Sequence, residues 1–481
     1  MYMEQFFTQG LGCMSYLVGC EAKGVAAVID PDRDVRRYLD AAAARGLAIT
    51  HIIETHLHAD HVSGNTDLAA RTGAPIYIHG AAQAGFPHRP LEGGDVLQLG
   101  NVRIDVLHTP GHTPEGVTLL VTDATRSPEP WLALTGDTLF VGDVGRPDLV
   151  GAEAARELAD QLHGSLFDRL LTLDDGLLLY PGHGAGSLCG RSIGSMRSTT
   201  LGFERRSNPS LSVREKPAFV EFMTRDLPEQ PGNHRHIKAL NRRGPRPLGE
   251  IVPRALSAQE AFLHLQRGAV LLDTRPRPAF IARHVPGAAH LPADDQLSHR
   301  VGFVLPAEVP LVLLVEDEAA YRRAVLSLAR VGYERVVGYL ADGIAGWEAA
   351  GLPTTSGDIK DITVAELDTM LSNGHGLVVV DVREPWEYRE GHVPGAKLMP
   401  LGDLAAQAGE LDRDRPTAVI CASGNRSQSA TALLGQKGFA RVYNVLGGTM
   451  GWIDAGLPVK RGKEREPDNV PTWKVTRAPV E

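Results

Sequence analysis

Short apolar runs bounded by turn residues mark the first two hundred positions. Residues 26–29, 76–78, 104–107, 131–134 and 177–179 are β-rich, and residues 153–162 place apolar side chains at helical spacing. Strands interleaved with helices predict an α/β domain. Between 208 and 249 the chain has six prolines and no strand-like run, which predicts a helical tail passing into a linker. The pattern beyond this point occurs twice. Leu271-Leu272-Asp273-Thr274-Arg275 and His284-Val285-Pro286-Gly287-Ala288 return 108 positions later as Val379-Val380-Asp381-Val382-Arg383 and His392-Val393-Pro394-Gly395-Ala396. Gly343 to Trp347 and Ala350 to Pro353 return as Gly448 to Trp452 and Ala455 to Pro458, a shift of 105. Two related modules therefore stand in tandem, each read as strand, turn, strand, helix, strand, helix, the pattern of a parallel sheet covered by helices. After Val459 a charged tail is expected to fray.

Length and composition narrow the class. At 481 residues the chain exceeds one ordinary domain. A net charge of −9 without a long single-sign block argues against a nucleic-acid-binding tail, and 43% hydrophobic with 22% charged residues describes a globular chain. No apolar run approaches the length of a membrane helix and the first basic residue is Lys23, so no membrane span or signal peptide is expected and the location is read as cytoplasmic. The four cysteines, Cys13, Cys20, Cys189 and Cys421, are too scattered for a disulfide framework or a C-x-x-C zinc site.

The densest chemistry is Thr55-His56-Leu57-His58-Ala59-Asp60-His61, just after the apolar 51–53 segment. A strand end can deliver these side chains together into a cleft. His112, Asp137 and His183 each follow another strand-like run. Neutral imidazole and carboxylate suit zinc or iron, and seven such groups exceed what a structural metal site requires. The H-x-H-x-D-H pattern of His56, His58, Asp60 and His61, with the later stations, resembles the metallo-β-lactamase superfamily over residues 1–202.

Two members of that superfamily offer different readings. In glyoxalase II-like thioesterases all seven ligands would hold two metals, here zinc, that activate water. In the similar persulfide dioxygenases one ferrous ion is held by the positions matching His56, His112 and Asp137, and His58, Asp60, His61 and His183 become second-site or supporting groups. The segment Gly136 to Leu149 looks like the dioxygenase version, in which Arg146 supports the site. The resemblance therefore implies one Fe²⁺ per chain, with zinc as the alternative.

The second module carries Cys421-Ala422-Ser423-Gly424-Asn425-Arg426-Ser427, where an apolar strand ends and a helix begins. Backbone N–H groups and a positive helix end converge there, which should stabilise a thiolate, and Arg426 adds a charge able to hold an anionic donor. The loop resembles that of rhodanese, C-x-x-G-x-R-[ST], which implies that Cys421 carries sulfane sulfur while Ser423, Gly424 and Asn425 cradle the donor. The first module has Val315 in place of the cysteine and Glu316, Asp317 and Glu318 in its loop, so it resembles an inactive rhodanese. Cys189 reads either as lining a substrate channel or as packing; Cys13 and Cys20 are expected to pack in the first sheet.

The expected architecture is α/β: a metallo-β-lactamase αββα sandwich with helical tail over 1–250, a degenerate rhodanese-like domain over 251–357, an active one over 358–461 and a tail over 462–481, both rhodanese-like domains having parallel sheets. The implied activity is oxidation of a low-molecular-weight thiol persulfide, of glutathione or coenzyme A type, by O₂ to sulfite and thiol. Rhodanese transfer would link sulfite and persulfide to thiosulfate. A glyoxalase II-like zinc hydrolase and a persulfide sensor are the alternatives, and a homo-oligomer stays open. Residues 234–246 hold five basic side chains and no acid. They read either as a solvated linker or as a cationic cover in which Arg242 and Arg243 bind the anionic carrier.

Overall fold

The computed structural model describes residues 1–187, 189–190, 193–225, 227, 230, 232–374 and 376–462. The expected tail lies outside the described residues from 463 onward.

The first domain is two six-stranded sheets face to face. One runs in chain order through β1 (Tyr2–Thr8), β2 (Cys13–Cys20), β3 (Val25–Ile29), β4 (Ala48–Ile53), β5 (Ile76–His79) and β6 (Arg89–Leu91). The other comprises β7 (Val96–Leu99), β8 (Val102–His108), β9 (Val117–Asp123), β10 (Leu132–Gly136), β11 (Leu178–Pro181) and β12 (Thr199–Thr200). Period-two alternation sorts the side chains. In β2 and β3, Tyr16, Val18, Ala27 and Ile29 enter the core between the sheets with Ile104, Leu119 and Leu134, whereas Leu17 and Val28 face the helices Arg36–Ala44 and Asn65–Thr72. The helices Ala152–His163 and Lys216–Thr224 cover the second sheet through Leu162 and Phe219 packed near Ala133 and Leu179. The layers are αββα, the architecture the sequence resemblance implied.

The two modules have the same topology. Strands β13 (Ala255–Leu256), β14 (Val270–Asp273), β15 (Ala289–His290), β16 (Leu311–Leu314) and β17 (Val336–Leu340) lie in the order β13-β17-β16-β14-β15. The third domain repeats it with β18 (Ile359–Ile362), β19 (Val378–Asp381), β20 (Lys397–Leu398), β21 (Thr417–Ile420) and β22 (Val442–Val445), and every pair in both sheets is parallel. Each module holds more strands and helices than its sequence pattern suggested, because the two-residue strands carry too little pattern to be seen. The repeated motifs are structural. Asp273 pairs with Arg275 at 2.6 Å and Asp381 with Arg383 at 2.7 Å; Trp347 and Trp452 donate their indole N–H to the carbonyls of Pro353 (3.0 Å) and Pro458 (2.8 Å). A buried carboxylate or indole left unmatched would cost folding energy, so both halves of each motif recur together.

The middle module touches both others. Leu11, Val62, Ile237 and Leu240 of the first domain share a hydrophobic cluster with Val301, Tyr321 and Leu328, and Trp347, Phe280 and Leu314 share another with Met399 and Leu434. Polar contacts reinforce the first contact: Asp32 pairs with Arg330 at 3.1 Å, and Asn233 Nδ2 donates to the Val331 carbonyl at 3.1 Å. Arg277 bridges to Asp361 at 2.7 Å across the second.

Residues 234–243 form a helix, His234–Arg243, whose His234, Ile237, Leu240 and Asn241 are buried between the first and middle domains. The reading of this stretch as a solvated linker is corrected. Its basic residues sit at the exposed and half-buried positions of an amphipathic helix, so charge alone concealed an apolar face.

Candidate metal centre and sulfur-transfer loop

All four metal-ligand stations lie just beyond strand ends: His56 to His61 after β4, His112 after β8, Asp137 after β10 and His183 after β11. The first loop is held by its backbone. Thr55 N–H and hydroxyl donate to the two oxygens of Asp30 (2.7 and 2.8 Å), and Leu57 N–H donates to Glu115 at 2.9 Å. Asn241 donates to the carbonyls of His58 (2.8 Å) and His61 (2.7 Å) and accepts from Ser63 N–H (2.9 Å). Val62 N–H donates to the Arg330 carbonyl of the middle module at 2.7 Å.

His56, His112 and Asp137 converge. Asp137 Oδ2 lies 3.7 Å from His56 Nε2 and 3.2 Å from His112 Nε2, with all three residues buried. His112 Nδ1 donates to the Arg146 carbonyl at 2.8 Å, which leaves Nε2 of the neutral ring as the free lone pair. His112 Nε2 and Asp137 Oδ2 are buried without a hydrogen-bond partner. Such orphaned donors facing one gap fit a metal ion, because a buried polar atom otherwise goes unmatched at a cost. Burial, helped by the neighbouring imidazoles, holds His56 well below the ordinary histidine range, as a neutral ligand requires. Burial opposes charge on His112, but the Asp137 carboxylate outweighs it and raises the group to about 9, the field a cation would meet. Gly182 is needed beside the centre: a Cβ there would lie 2.5 Å from Asp137 Oδ1.

The other four candidates are arranged differently. His58 turns away, with Nε2 3.2 Å from Glu54 Oε2 and 3.3 Å from Asp30 Oδ1; burial disfavours its charge, yet these acids raise it well above the usual range. His183 spans two carboxylates, Nδ1 to Asp137 Oδ1 and Nε2 to Asp60 Oδ2, each at 2.7 Å. Asp60 also lies 3.2 Å from His61 Nδ1. Cys13 does not simply pack in the sheet: its Sγ stands 3.2 Å from Asp60 Oδ2 and 3.5 Å from His61 Nδ1, because β2 starts beside this cluster. Cys20 does pack, buried at the other end of β2. Cys189 is buried, its thiol grouped with Asp137 and His183.

Arg146 supports the site through its carbonyl, while its guanidinium pairs with both oxygens of Asp148 at 2.7 Å. Ala59 and Arg146 border a chamber of about 790 Å³. From the basic helix it is Arg235 and Lys238 that line this chamber. Arg242, expected to bind the carrier, instead bonds Gln83 at 2.6 Å, and Arg243 is exposed beyond it. Arg242 lies on the same helix stripe as Arg235 and Lys238 but about 6 Å further along the axis than Lys238, and this displacement brings it to Gln83.

Cys421 directly follows β21, and its sulfur accepts from Gly424 N–H at 3.1 Å with Ser427 Oγ at 3.4 Å. Gly424, at φ +106°, adopts a backbone that other residues rarely take, and this turn aims its N–H at the sulfur. The helix Asn425–Gln436 starts immediately after, with Ser423 and Asn425 exposed at the loop rim. Arg426 does not stand as an unmatched charge over the thiol: both of its terminal nitrogens bond Glu387 at 2.7 Å. In the middle module Val315 occupies the strand end, and Asp317 caps the helix by accepting from Ala320 N–H at 2.6 Å.

Four supporting residues escaped the sequence reading. Asp30 and Asn241 carry no motif signal. Glu54 sits four residues before His58, a spacing that could have drawn attention, and Glu115 sits three residues after His112.

Residues 8–183 match the metallo-beta-lactamase superfamily model, and residues 257–350 and 363–455 match the rhodanese-like domain model. A solved metallo-beta-lactamase from Staphylococcus aureus is 31% identical with a TM-score of 0.63, covering 71% of this chain and 98% of its own. A hydroxyacylglutathione hydrolase from Polaromonas sp. is 35% identical over 35% of this chain and 61% of its own length. The mitochondrial persulfide dioxygenase ETHE1 of Bos taurus is 28% identical over 47% of this chain and 82% of its own. With a metal-ligand set at the strand ends and two parallel-sheet modules behind it, the chain belongs to the metallo-beta-lactamase superfamily, in the form that carries tandem rhodanese-like domains.

Proposed function

We propose that the chain oxidises a low-molecular-weight thiol persulfide with O₂ at a single iron and transfers sulfane sulfur at Cys421. The observation that carries this reading is the position of His58. A binuclear hydrolase site requires that imidazole at the metal, and here it is paired by charge with Glu54 and Asp30, apart from the group of two histidines and one carboxylate formed by His56, His112 and Asp137. Iron held by His56, His112 and Asp137 would supply adjacent coordination positions for the persulfide sulfur and O₂.

The remaining steps belong to the chain. The Arg146 carbonyl fixes the His112 ring, Asn241 fixes the ligand loop, and His183 locks one oxygen of Asp137 so that the other faces the centre. The overall change balances as R-S-SH + O₂ + H₂O giving R-SH, hydrogen sulfite and a proton, the outer sulfur losing four electrons to O₂. A persulfide on Cys421, poised over the Gly424 N–H, could then pass its outer sulfur to sulfite, leaving the Cys421 thiolate and thiosulfate.

The hydrolase reading is supported by the Polaromonas relative and by the retained Asp60, His61 and His183. Oxygen uptake by the purified protein with glutathione persulfide, alongside thioesterase turnover, separates the two. Thioester hydrolysis without oxygen uptake would refute the proposal.

A further inference from the structure

The chamber that borders the ligand loop at Ala59 is not built by the metal domain alone. Its border includes Ala59, which sits between two ligand-loop histidine and aspartate positions, and Arg146, whose carbonyl holds His112. One side is the helix His234–Arg243, through Arg235 and Lys238. Part of the lining comes from the third domain, through Glu384, Pro385, Pro400 and Asp403. At about 790 Å³ the space suits a molecule of tripeptide size.

The charges of this lining are not all internally matched. Arg146 is satisfied by Asp148, and burial holds His234 near 4, hence neutral. Glu384 takes part in the capping box of the helix Pro385–Glu390. Among the described residues none forms a salt bridge with Arg235, Lys238 or Asp403, although Lys238 feels the Glu115 carboxylate at longer range. Two cations therefore face the chamber from the metal domain and one uncommitted carboxylate faces it from the rhodanese side. A ligand complementary to both carries an anionic group and an ammonium group.

We infer that the C-terminal rhodanese-like domain completes the carrier site of the metal domain, with Lys238 and Arg235 receiving a carboxylate and Asp403 selecting carriers that bear an ammonium. The inference rests on the reading that a thiol persulfide is the substrate at the metal. It gives the C-terminal domain a second task, that of choosing which thiol reaches the oxidation site, and makes Asp403 a specificity-determining residue of a reaction carried out in another domain.

Calorimetric titration of the full chain with two thiol probes tests this without relying on turnover. Reduced glutathione has carboxylates and an ammonium; 3-mercaptopropionate has the carboxylate alone. Asp403→Asn should weaken glutathione by about fivefold and leave 3-mercaptopropionate unchanged, with Asp403→Glu restoring the difference. Lys238→Met should weaken both. Asp403→Asn that binds both probes as the unaltered chain does, or weakens both alike, overturns the inference, as does an unaltered chain that binds neither. Failure of the oxidation reading has a different signature: glutathione bound with this selectivity, but no oxygen uptake with glutathione persulfide.

Discussion

The imidazole of His58 lies on the carboxylate of Glu54, Nε2 to Oε2 3.2 Å, at the end of the strand that delivers His56 to the metal centre. Two histidines two residues apart thus face different partners, and the proposed function gives them different work. His56→Ala, His112→Ala or Asp137→Ala should each remove bound iron and oxygen uptake. His58→Ala should keep iron and lower uptake by about tenfold or less, as loss of a supporting contact does. Iron analysis beside an oxygen electrode reads both quantities. Iron loss in His58→Ala equal to that in His56→Ala would make His58 a ligand.

Asn241 closes three hydrogen bonds on the ligand loop from a helix almost two hundred residues away. Asn241→Leu should strand the His58 and His61 carbonyls and the Ser63 N–H, costing about 2–4 kcal/mol of stability and weakening iron retention. Chelator-competition rates give the second effect separately from thermal melts. A variant that melts early yet releases iron no faster would reduce Asn241 to a packing residue.

Cys421→Ser should abolish thiosulfate-dependent sulfur transfer while leaving persulfide oxidation intact, since the reacting centres lie in different domains. Val315→Cys should gain no transfer activity, because Glu316, Asp317 and Glu318 still surround the new thiol. Cyanide-trapped thiocyanate measures the transfer. Loss of iron in Cys421→Ser would make the residue structural.

Acid should destabilise the middle module through His290. Burial lowers this group to about 3 in the folded chain, below its unfolded value near 6.5. Its contribution is complete above pH 6.5 and is lost as the pH falls toward the folded value, because the unfolded chain binds the proton first. Thermal midpoints should therefore drop between pH 7 and pH 4, and His290→Gln should flatten that slope while preserving a donor for the Arg275 carbonyl bond made by Nε2 at 3.0 Å. An unchanged slope would assign the acid sensitivity to other groups.

Much of the fold was legible because its signals are local. The apolar runs of β3 and β10, the alternation in β8 and the recurrence of Asp273-x-Arg275 as Asp381-x-Arg383 are properties of adjacent residues. The candidate ligands were legible for the same reason, since His56 to His61 announce themselves within six positions. What escaped is long-range. Cys13 is the first residue of β2, but nothing local in sequence shows that this strand begins beside Asp60, and Asn241 has no neighbour in sequence to reveal its task. Arg242 and Arg243 looked like carrier ligands from charge, but their place further along the helix axis brings Arg242 to Gln83 and leaves the chamber to Arg235 and Lys238. Arg426 looked like an unmatched cation because its partner Glu387 lies on a different helix of the module.

The central claim is one iron at a three-residue site consuming O₂ for each persulfide oxidised. Anaerobically purified protein, reconstituted with Fe²⁺ and assayed for metal content and for oxygen uptake with glutathione persulfide, tests it most directly. The expected result is about one iron per chain, as a single facial triad holds, and sulfite formed in step with oxygen consumed. Two zinc ions per chain, with thioester hydrolysis and no oxygen uptake, would contradict it.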